Sequence, residues 1–182
     1  MSCRLISSFL FSAVAVGCGG AGSSVPDAAQ RGADMAKVIV PGGDTSLSGM
    51  LGALGAAKPT VASLVISNSG ETLVYMSSAP MTCSQLQTSR WLGSIAAGAQ
   101  VVEIVTKGIA KVGTIQVPPG EVNYGEGGKS SSYEVNAASG AVVYTVVNTD
   151  GSVEGTLSAT YDDGSTLSGN FKAAFCAGGQ GF

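Results

Sequence analysis

The sequence contains no histidine. Histidine is the commonest general base near neutral pH, the commonest metal ligand and a member of the Ser-His-Asp type of nucleophilic site. Those arrangements are therefore excluded, and only chemistry based on carboxylates, lysine or tyrosine remains open. We accordingly predict no catalytic residue, no metal ligand and no cofactor.

Charged and aromatic residues are also scarce. Nine Lys and Arg stand against 12 Asp and Glu, the formal net charge is −3, and the basic residues form no cluster. A nucleic-acid-binding surface needs a concentrated positive patch, so we expect no nucleic-acid partner. The 27 glycines, together with many Ser, Thr, Val and Ala, favour turns and strands over helices.

The N-terminal apolar run is too short to span a bilayer. The first 18 residues, MSCRLISSFLFSAVAVGC, carry Arg4 near the start, continue with mostly apolar residues 5–16 and end in small residues. A transmembrane helix needs about 20 apolar residues, and no basic flank follows this run. The layout is typical of a secretory signal, which we assign to residues 1–17.

The end of this segment, Ala15-Val16-Gly17-Cys18, resembles the bacterial lipobox, although Ala15 stands where leucine is commonest. The resemblance implies that the signal is cut before Cys18. It also implies that the Cys18 thiol receives a diacylglycerol and that the new amino group is acylated, typically with palmitate. Two or three acyl chains attach a protein stably to a membrane, whereas one chain does so only marginally. The alternative is an ordinary signal peptide, cut near Gly17 or Ala21, with Cys18 as a bystander.

Only four cysteines are present. Cys3 and Cys18 belong to the signal and the lipobox, which leaves Cys83 and Cys176 in the body of the chain. Two cysteines in an exported protein most economically form one disulfide, so we predict a Cys83–Cys176 bond. A zinc site is disfavoured because two thiolates without histidine would need two carboxylates as further ligands.

Composition divides the rest of the chain into four parts. Residues 18–36 are small and polar without apolar periodicity, which indicates a lipidated N terminus and a flexible tether. Residues 37–59 are ambiguous: 37–40 suggest a short strand, and 45–58 suggest a weak helix or a glycine-broken loop. Residues 60–176 carry a β pattern, and residues 177–182 are predicted to be a flexible tail.

Strand-like runs follow one another through the β part. Apolar and polar residues alternate strictly over 151–161 and 165–175, which is typical of antiparallel strands with one buried face. A capping-box pattern, Ser84 with Gln87, predicts a short helix over 84–90. The other predicted strands are 60–68, 71–78, 99–107, 112–117, 121–124, 132–137 and 141–148. We therefore expect a mainly β fold, an antiparallel β-sandwich or small β-barrel-like domain with at most one or two short helices.

Three residues are candidates for binding. Trp91, the single tryptophan, could stack on a ligand or sugar, although a lone tryptophan more often fills a core. Glu126 and Lys129 belong to GEGGKSS, residues 125–131, which is predicted to be a mobile loop. Such a loop suits recognition, and its alternative role is a plain connection between strands.

The acidic residues have two interpretations. Asp162-Asp163-Gly164 could supply oxygens to calcium, but Asp and Gly at these positions favour a β-turn. The glutamates are predicted to be solvated surface charges. A glycosidase would need two carboxyls about 5 to 9 Å apart in a cleft, which the sequence alone does not reveal.

The arrangement of lipobox, small-residue tether, VYMSSAPMTC and a closing GTLSATYDDGSTLSGNFKAAFC resembles uncharacterised envelope lipoproteins of predatory, gliding Gram-negative bacteria. The resemblance implies a cell-envelope protein lipidated at Cys18 and bridged between Cys83 and Cys176, with no known activity. Gly19, rather than Asp, after Cys18 resembles the outer-membrane sorting pattern. We therefore expect an outer-membrane anchor that faces the periplasm or the cell surface.

These observations favour a lipid-anchored, non-enzymatic envelope module that binds a protein or glycan or has a structural role. One alternative is a His-free carboxylate hydrolase acting on envelope polysaccharide, which two carboxyls converging in a groove would favour. Another is an accessory subunit of a secretion or motility machine.

Overall fold

The structure is a computed structural model, and it describes residues 45–58, 62–67, 70–86, 91–130 and 134–176. The signal, Cys18, the tether, residues 37–44 and the tail 177–182 lie outside these residues. What the sequence indicates about them stays a prediction.

Strands dominate the described part of the chain. The strands are β1 (Ser46–Gly49), β2 (Ala62–Ser67), β3 (Glu71–Ser77), β4 (Gln100–Lys107), β5 (Gly113–Val117), β6 (Glu121–Glu126), β7 (Val135–Val147), β8 (Val153–Tyr161) and β9 (Thr166–Phe175). Two short helices, α1 (Cys83–Leu86) and α2 (Trp91–Ser94), and a 3-10 turn (Gly52–Leu54) complete the described elements. The predicted mainly β class with one or two short helices is confirmed.

Seven of these strands close into a barrel. Hydrogen-bonded neighbours run β2, β3, β4, β6, β7, β8, β9, and β9 returns to β2. β1 adds to the free side of β9, and β5 adds to β7. Closure satisfies the backbone groups that would otherwise line the edges of an open sheet. Of the two predicted architectures, the chain adopts the barrel.

The antiparallel prediction fails at one place, the seam between β2 and β9. There Leu64 pairs with Ala174 and Val65 pairs with Phe175 in parallel register. A ring with an odd number of strands cannot alternate direction all the way round, so at least one neighbouring pair must be parallel.

The barrel interior is the main core. The predicted alternation of β8 and β9 is confirmed: their apolar residues are mostly buried, and their Ser, Thr and Lys residues lie outside. Two edge-to-face ring pairs fill the middle, Tyr144 with Phe171 and Tyr124 with Tyr161. The fully buried inner residues include Val74, Val102, Ile104, Val122, Val142, Leu157 and Leu167.

A second core covers the outer face of β3 and β4. Its covering residues come from the segment that holds α1 and α2: Met81, Leu86, Leu92, Ile95 and Ala99, which pack with Tyr75 and Val101. The Cys83–Cys176 disulfide lies in this core, with a Cα–Cα distance of 5.4 Å, and joins α1 to the end of β9. The predicted bond is confirmed.

The predicted helix over 84–90 begins earlier than expected. α1 starts at Cys83, and one half of a capping box is formed by Thr82 and Gln85, because the Thr82 amide donates to Gln85 Oε1 at 2.7 Å. The prediction misplaced the box at Ser84 and Gln87. Residues 87–90 lie outside the described part of the chain.

Two other boundaries differ from expectation. Residues 46–49, within a stretch predicted to be a weak helix or loop, form β1 and pair with β9. Residues 135–147 form one strand, whereas the sequence predicts separate strands over 132–137 and 141–148. Ser139 and Gly140 continue the pairing with β8 across a register shift, so the apparent break is a bend inside a long strand.

Candidate functional site

A small pocket opens at the end of the barrel where β6 finishes. Its volume is about 180 Å³, and its lining residues are Ala53, Leu54, Tyr124, Gly125, Glu126, Lys129 and Val135. We call it the Tyr124 pocket. Two of the three predicted binding residues, Glu126 and Lys129, therefore lie at one site.

The floor of the pocket is held by the packing of Tyr124. Its ring meets Tyr161 edge to face, with centroids 4.8 Å apart and an interplanar angle of 81°. Above it, Gly52 in the 3-10 turn has φ +47°, and a Cβ there would collide with the Tyr124 hydroxyl. The turn can close over the ring because residue 52 is glycine.

The rim of the pocket is a fixed turn, which corrects the prediction of a mobile loop over its described residues, 125–130. The Gly127 amide donates to the Ala99 carbonyl at 2.8 Å, and the Gly128 amide donates to the Leu92 carbonyl at 3.0 Å. The Lys129 amide donates to the Glu126 carbonyl at 3.2 Å. These bonds fix the backbone of Glu126 and Lys129 against the covering segment.

The pocket offers an apolar floor with one acidic and one basic residue at its margin. Leu54, Tyr124 and Val135 supply the apolar surface, and Val135 is 38% exposed. Sites for drug-sized ligands occupy about 300–1,000 Å³. A volume of about 180 Å³ suits one side chain or one ring of a larger partner rather than a whole cofactor.

A second site is a group of carboxyls on the outer face of the barrel wall. Glu103 on β4 is only 6% exposed, and Asn123 on β6 pairs with it in register. Asn123 Nδ2 donates to Glu103 Oε2 at 3.3 Å and to Glu121 Oε2 at 3.4 Å. The prediction that the glutamates are solvated surface charges is wrong for Glu103.

Burial dominates the ionisation of this group. It raises the pKa of Glu103, although hydrogen bonds from Tyr75 and Asn123 oppose the rise. Burial, with the charges of Glu103 and Glu121, raises the pKa of Glu134 to about 7. Asn123 Oδ1 and Glu134 Oε1 are buried and have no hydrogen-bond partner among the described residues.

The geometry limits what these carboxyls can do. Glu134, which is partly exposed, can gain and lose a proton near neutral pH. Glu103 is sealed from solvent and held by Asn123, so a substrate could reach it only after rearrangement. The described residues contain no group of three His, Cys, Asp or Glu side chains placed to hold a metal ion.

A shallow depression of about 230 Å³ lies on the outer face of β7, β8 and β9. Its centre is an ion pair between Lys172 Nζ and Glu154 Oε1 at 2.7 Å. Thr145, Thr156 and Asn170 surround the pair. An ion pair at this exposed position contributes little to stability, and the depression is wide and polar.

The Asp162-Asp163-Gly164 segment forms the predicted turn between β8 and β9. Asp163 Oδ1 accepts hydrogen bonds from the Ser165 amide at 2.9 Å and from the Ser165 hydroxyl at 2.6 Å. These bonds lower the pKa of Asp163 and engage the oxygen that a calcium ion would need.

The remaining predicted site residues, Trp91 and Cys18, are not tested by the structure. Trp91 begins α2, but its side chain is outside the described part of the chain, as is Cys18. Tyr124, Leu54 and Val135 were not predicted as site residues, because a pocket between three separate segments leaves no local pattern in the sequence. It could have found Glu103, since a lone charge within the apolar run VVEIV is a signal of a buried carboxyl.

No helix in the described ranges has the length and apolar character needed to cross a membrane. The chain matches no protein-family model, no curated protein and no solved structure.

Proposed function

We propose that this chain is a lipid-anchored protein of the bacterial outer membrane whose barrel binds a protein or glycan partner without catalysing a reaction. The lipobox-like Ala15–Cys18 segment supports the anchor. The Cys83–Cys176 disulfide supports an oxidising compartment outside the cytoplasm.

The observation that carries the binding role is the Tyr124 pocket. It unites an apolar floor with Glu126 and Lys129 on a turn that backbone hydrogen bonds hold in place. A preformed site loses little conformational entropy on binding, so even a small pocket can anchor one group of a larger partner.

The anchor is tested by mass spectrometry and membrane fractionation of the wild type, Cys18→Ala and Cys3→Ala. We expect an acylated N terminus and membrane association for the wild type and for Cys3→Ala, the control within the signal. Cys18→Ala should lose both. A wild-type protein without acyl mass would refute the anchor.

The binding role is tested by placing a photo-crosslinking amino acid at residue 135 in the envelope of the producing cell. Position 158, exposed on β8 outside the pocket, is the control. We expect crosslinks from residue 135 that are absent at residue 158 and that weaken when Lys129→Glu is added. The crosslinked species identifies a protein or a glycan, and a component of a secretion or motility machine would support the accessory-subunit role. Equal crosslinking at both positions would contradict the proposal.

A second candidate function, a carboxylate hydrolase acting on envelope polysaccharide, is favoured by one observation. Glu134 has a pKa of about 7, as a general acid requires, and Glu103 is near enough to influence it. The burial of Glu103 weighs against it. Release of reducing sugar from purified cell-wall polysaccharide by the wild type, and its loss in Glu134→Gln, would support hydrolysis over binding.

A further inference from the structure

Several chain segments meet at the end of the barrel opposite the Tyr124 pocket. Thr45, immediately before β1, is fixed there because the Lys172 amide donates to Thr45 Oγ1 at 2.7 Å. Lys172 pairs across the sheet with Glu154, and Glu154 pairs with Val146 near the end of β7. We call this the Thr45 end.

The loop between β4 and β5, residues 108–112, lies at the same end. Gly113, which follows it, pairs with Tyr144, two residues before Val146 in β7. At the other side of the loop, the Gly108 amide donates to the Gly70 carbonyl at 2.7 Å. The loop is therefore held at both of its ends.

This loop carries the two most exposed large hydrophobic side chains of the described residues. Ile109 is 71% exposed and Val112 is 67% exposed. Ala110, between them, is buried in the barrel core, so the loop directs its smallest apolar side chain inward and these two outward. Val146, at the neighbouring end of β7, is also exposed.

The charges of the loop contrast with those of the whole chain. Lys107 and Lys111 flank Ile109, both are exposed, and the KGIAKVG segment contains no acidic residue. Acidic groups lie on neighbouring described elements: Glu71 is opposite Lys107 in register, Glu121 at the start of β6 is opposite Val105, and Asp150 lies in the turn after β7. In a protein of net charge −3, two lysines beside two exposed aliphatic residues favour an anionic, apolar partner.

The place where the N-terminal segment joins the barrel supports a bilayer as the partner of this loop. The residues that carry the lipobox-like Cys18 join the described domain at Thr45, so an anchored chain reaches the barrel at this end. Glu126 of the pocket pairs with Gln100, seven residues along β4 from Lys107. At about 3.3 Å per residue, the two ends of that strand are about 23 Å apart.

We infer that the Thr45 end is a membrane-docking surface, in which Ile109 and Val112 enter the headgroup region of an anionic phospholipid bilayer. Lys107 and Lys111 contact the lipid phosphates. The docking itself needs only these loop residues, whereas its biological orientation rests on the proposed anchor. Docked in this way, the barrel holds the Tyr124 pocket away from the membrane and open to a partner.

The test places a tryptophan reporter at each end of the full chain carrying Cys18→Ala. Ile109→Trp reports on the loop, and Val135→Trp is the matched control at the pocket. Vesicles of phosphatidylglycerol and phosphatidylethanolamine contain brominated lipid, which quenches tryptophan within the bilayer. The Trp91 signal is common to both variants and is subtracted with the parent protein. Any attachment of the protein to the vesicles through the apolar residues 5–16 contributes equally to both variants.

We expect several-fold stronger quenching at residue 109 than at residue 135. The difference should shrink with Lys107→Glu and Lys111→Glu and with zwitterionic phosphatidylcholine vesicles. Equal quenching at both positions, or stronger quenching at residue 135, would overturn the docking surface. If quenching at residue 109 stays the same in the Lys107→Glu, Lys111→Glu variant and with phosphatidylcholine vesicles, the preference for anionic lipid would be overturned. Because the protein carries no lipid at residue 18, failure of the anchor would leave this result unchanged.

Discussion

Gly155, on the inner face of β8, leaves room for an aromatic ring of β9. A Cβ at this position would collide with the Val143 carbonyl oxygen and would lie 2.6 Å from Cζ of Phe171. The Phe171 ring therefore covers a bare backbone and can reach Tyr144, with ring centroids 5.7 Å apart. The sequence correctly places Gly155 on the inner face, but its role in making room for a ring depends on the neighbouring strand.

Gly155→Ala should destabilise the barrel by about 1–3 kcal/mol, because the added methyl group overpacks a filled core. Urea denaturation followed by circular dichroism measures the change. Ser158→Ala, on the outer face of the same strand, is the control and should stay within about 0.5 kcal/mol of the wild type. A Gly155→Ala variant as stable as this control would contradict the packing argument.

Ionisation of the Glu134 carboxyl should lower the free energy of unfolding as the pH rises. Its pKa is about 7 in the folded protein and 4.5 ordinarily, so between these values the folded state binds more protons than the unfolded chain. The free energy of unfolding therefore falls with rising pH, and the stabilisation present below about pH 4.5 is lost by about pH 7. Glu103, whose pKa burial also raises, adds to the same trend.

Glu134→Gln should reduce this pH dependence. We expect the difference in melting temperature between pH 5 and pH 8 to be smaller than in the wild type, measured by calorimetry. Glu154→Gln removes the same charge from an exposed ion pair and controls for the change in net charge. An unchanged difference in Glu134→Gln would show that its side chain is ionised throughout this range.

α1 and α2 form a cover over the barrel wall, to which the Cys83–Cys176 bond joins them. Each helix is only four residues long, too short to be stable alone. Leu86 and Leu92, both fully buried, attach the cover from within, and the disulfide attaches it to the end of β9. The cover depends on these tertiary contacts for its structure.

Replacing Cys83 and Cys176 together by alanine should lower the free energy of unfolding by about 4–5 kcal/mol, the chain-entropy value for a loop closed over 93 residues. Hydrogen exchange should locate the first effect in the cover, with amides of residues 92–99 losing protection before those of β8. The oxidised wild type is the reference. Loss of protection in β8 first would mean that the bond stabilises the barrel rather than the cover.

Elements whose patterns are local were predictable, and those that depend on distant neighbours were not. β8 and β9 alternate strictly because each has one core face and one wet face. β7 was predicted as two strands because Ala137-Ala138-Ser139-Gly140 has weak β propensity. Pairing with β8 nevertheless continues through this stretch, with a register shift between Ala137 and Ser139. The Tyr124 pocket was only half predicted, since its apolar floor comes from segments distant in sequence.

The chain is predicted to divide into an N-terminal anchor segment and the barrel. All the strand pairing described above lies between Ser46 and Phe175. Arg31 falls within the tether predicted over residues 18–36, and Lys37 follows it. The connection between membrane and barrel is therefore predicted to be the part of the protein most open to proteases.

Trypsin should release the barrel from membranes as a disulfide-bonded fragment that begins after Arg31 or Lys37. Salt should be needed to complete the release if Lys107 and Lys111 contact lipid phosphates, since salt screens such contacts. Mass spectrometry of the released fragment gives its first residue, and an Arg31→Gln, Lys37→Gln variant should resist release. Cleavage that begins after Lys172, within β9, would contradict this division.

The seam between β2 and β9 also sets the order of events when the protein is made. Val65 meets Phe175 across 110 positions of sequence, so the ring has no closing partner until nearly the whole domain has left the ribosome or a translocation channel. Until then β2 presents an unpaired edge, which is the hazard of folds dominated by distant pairings. We therefore expect a nascent chain to need protection by a chaperone until its last strand emerges.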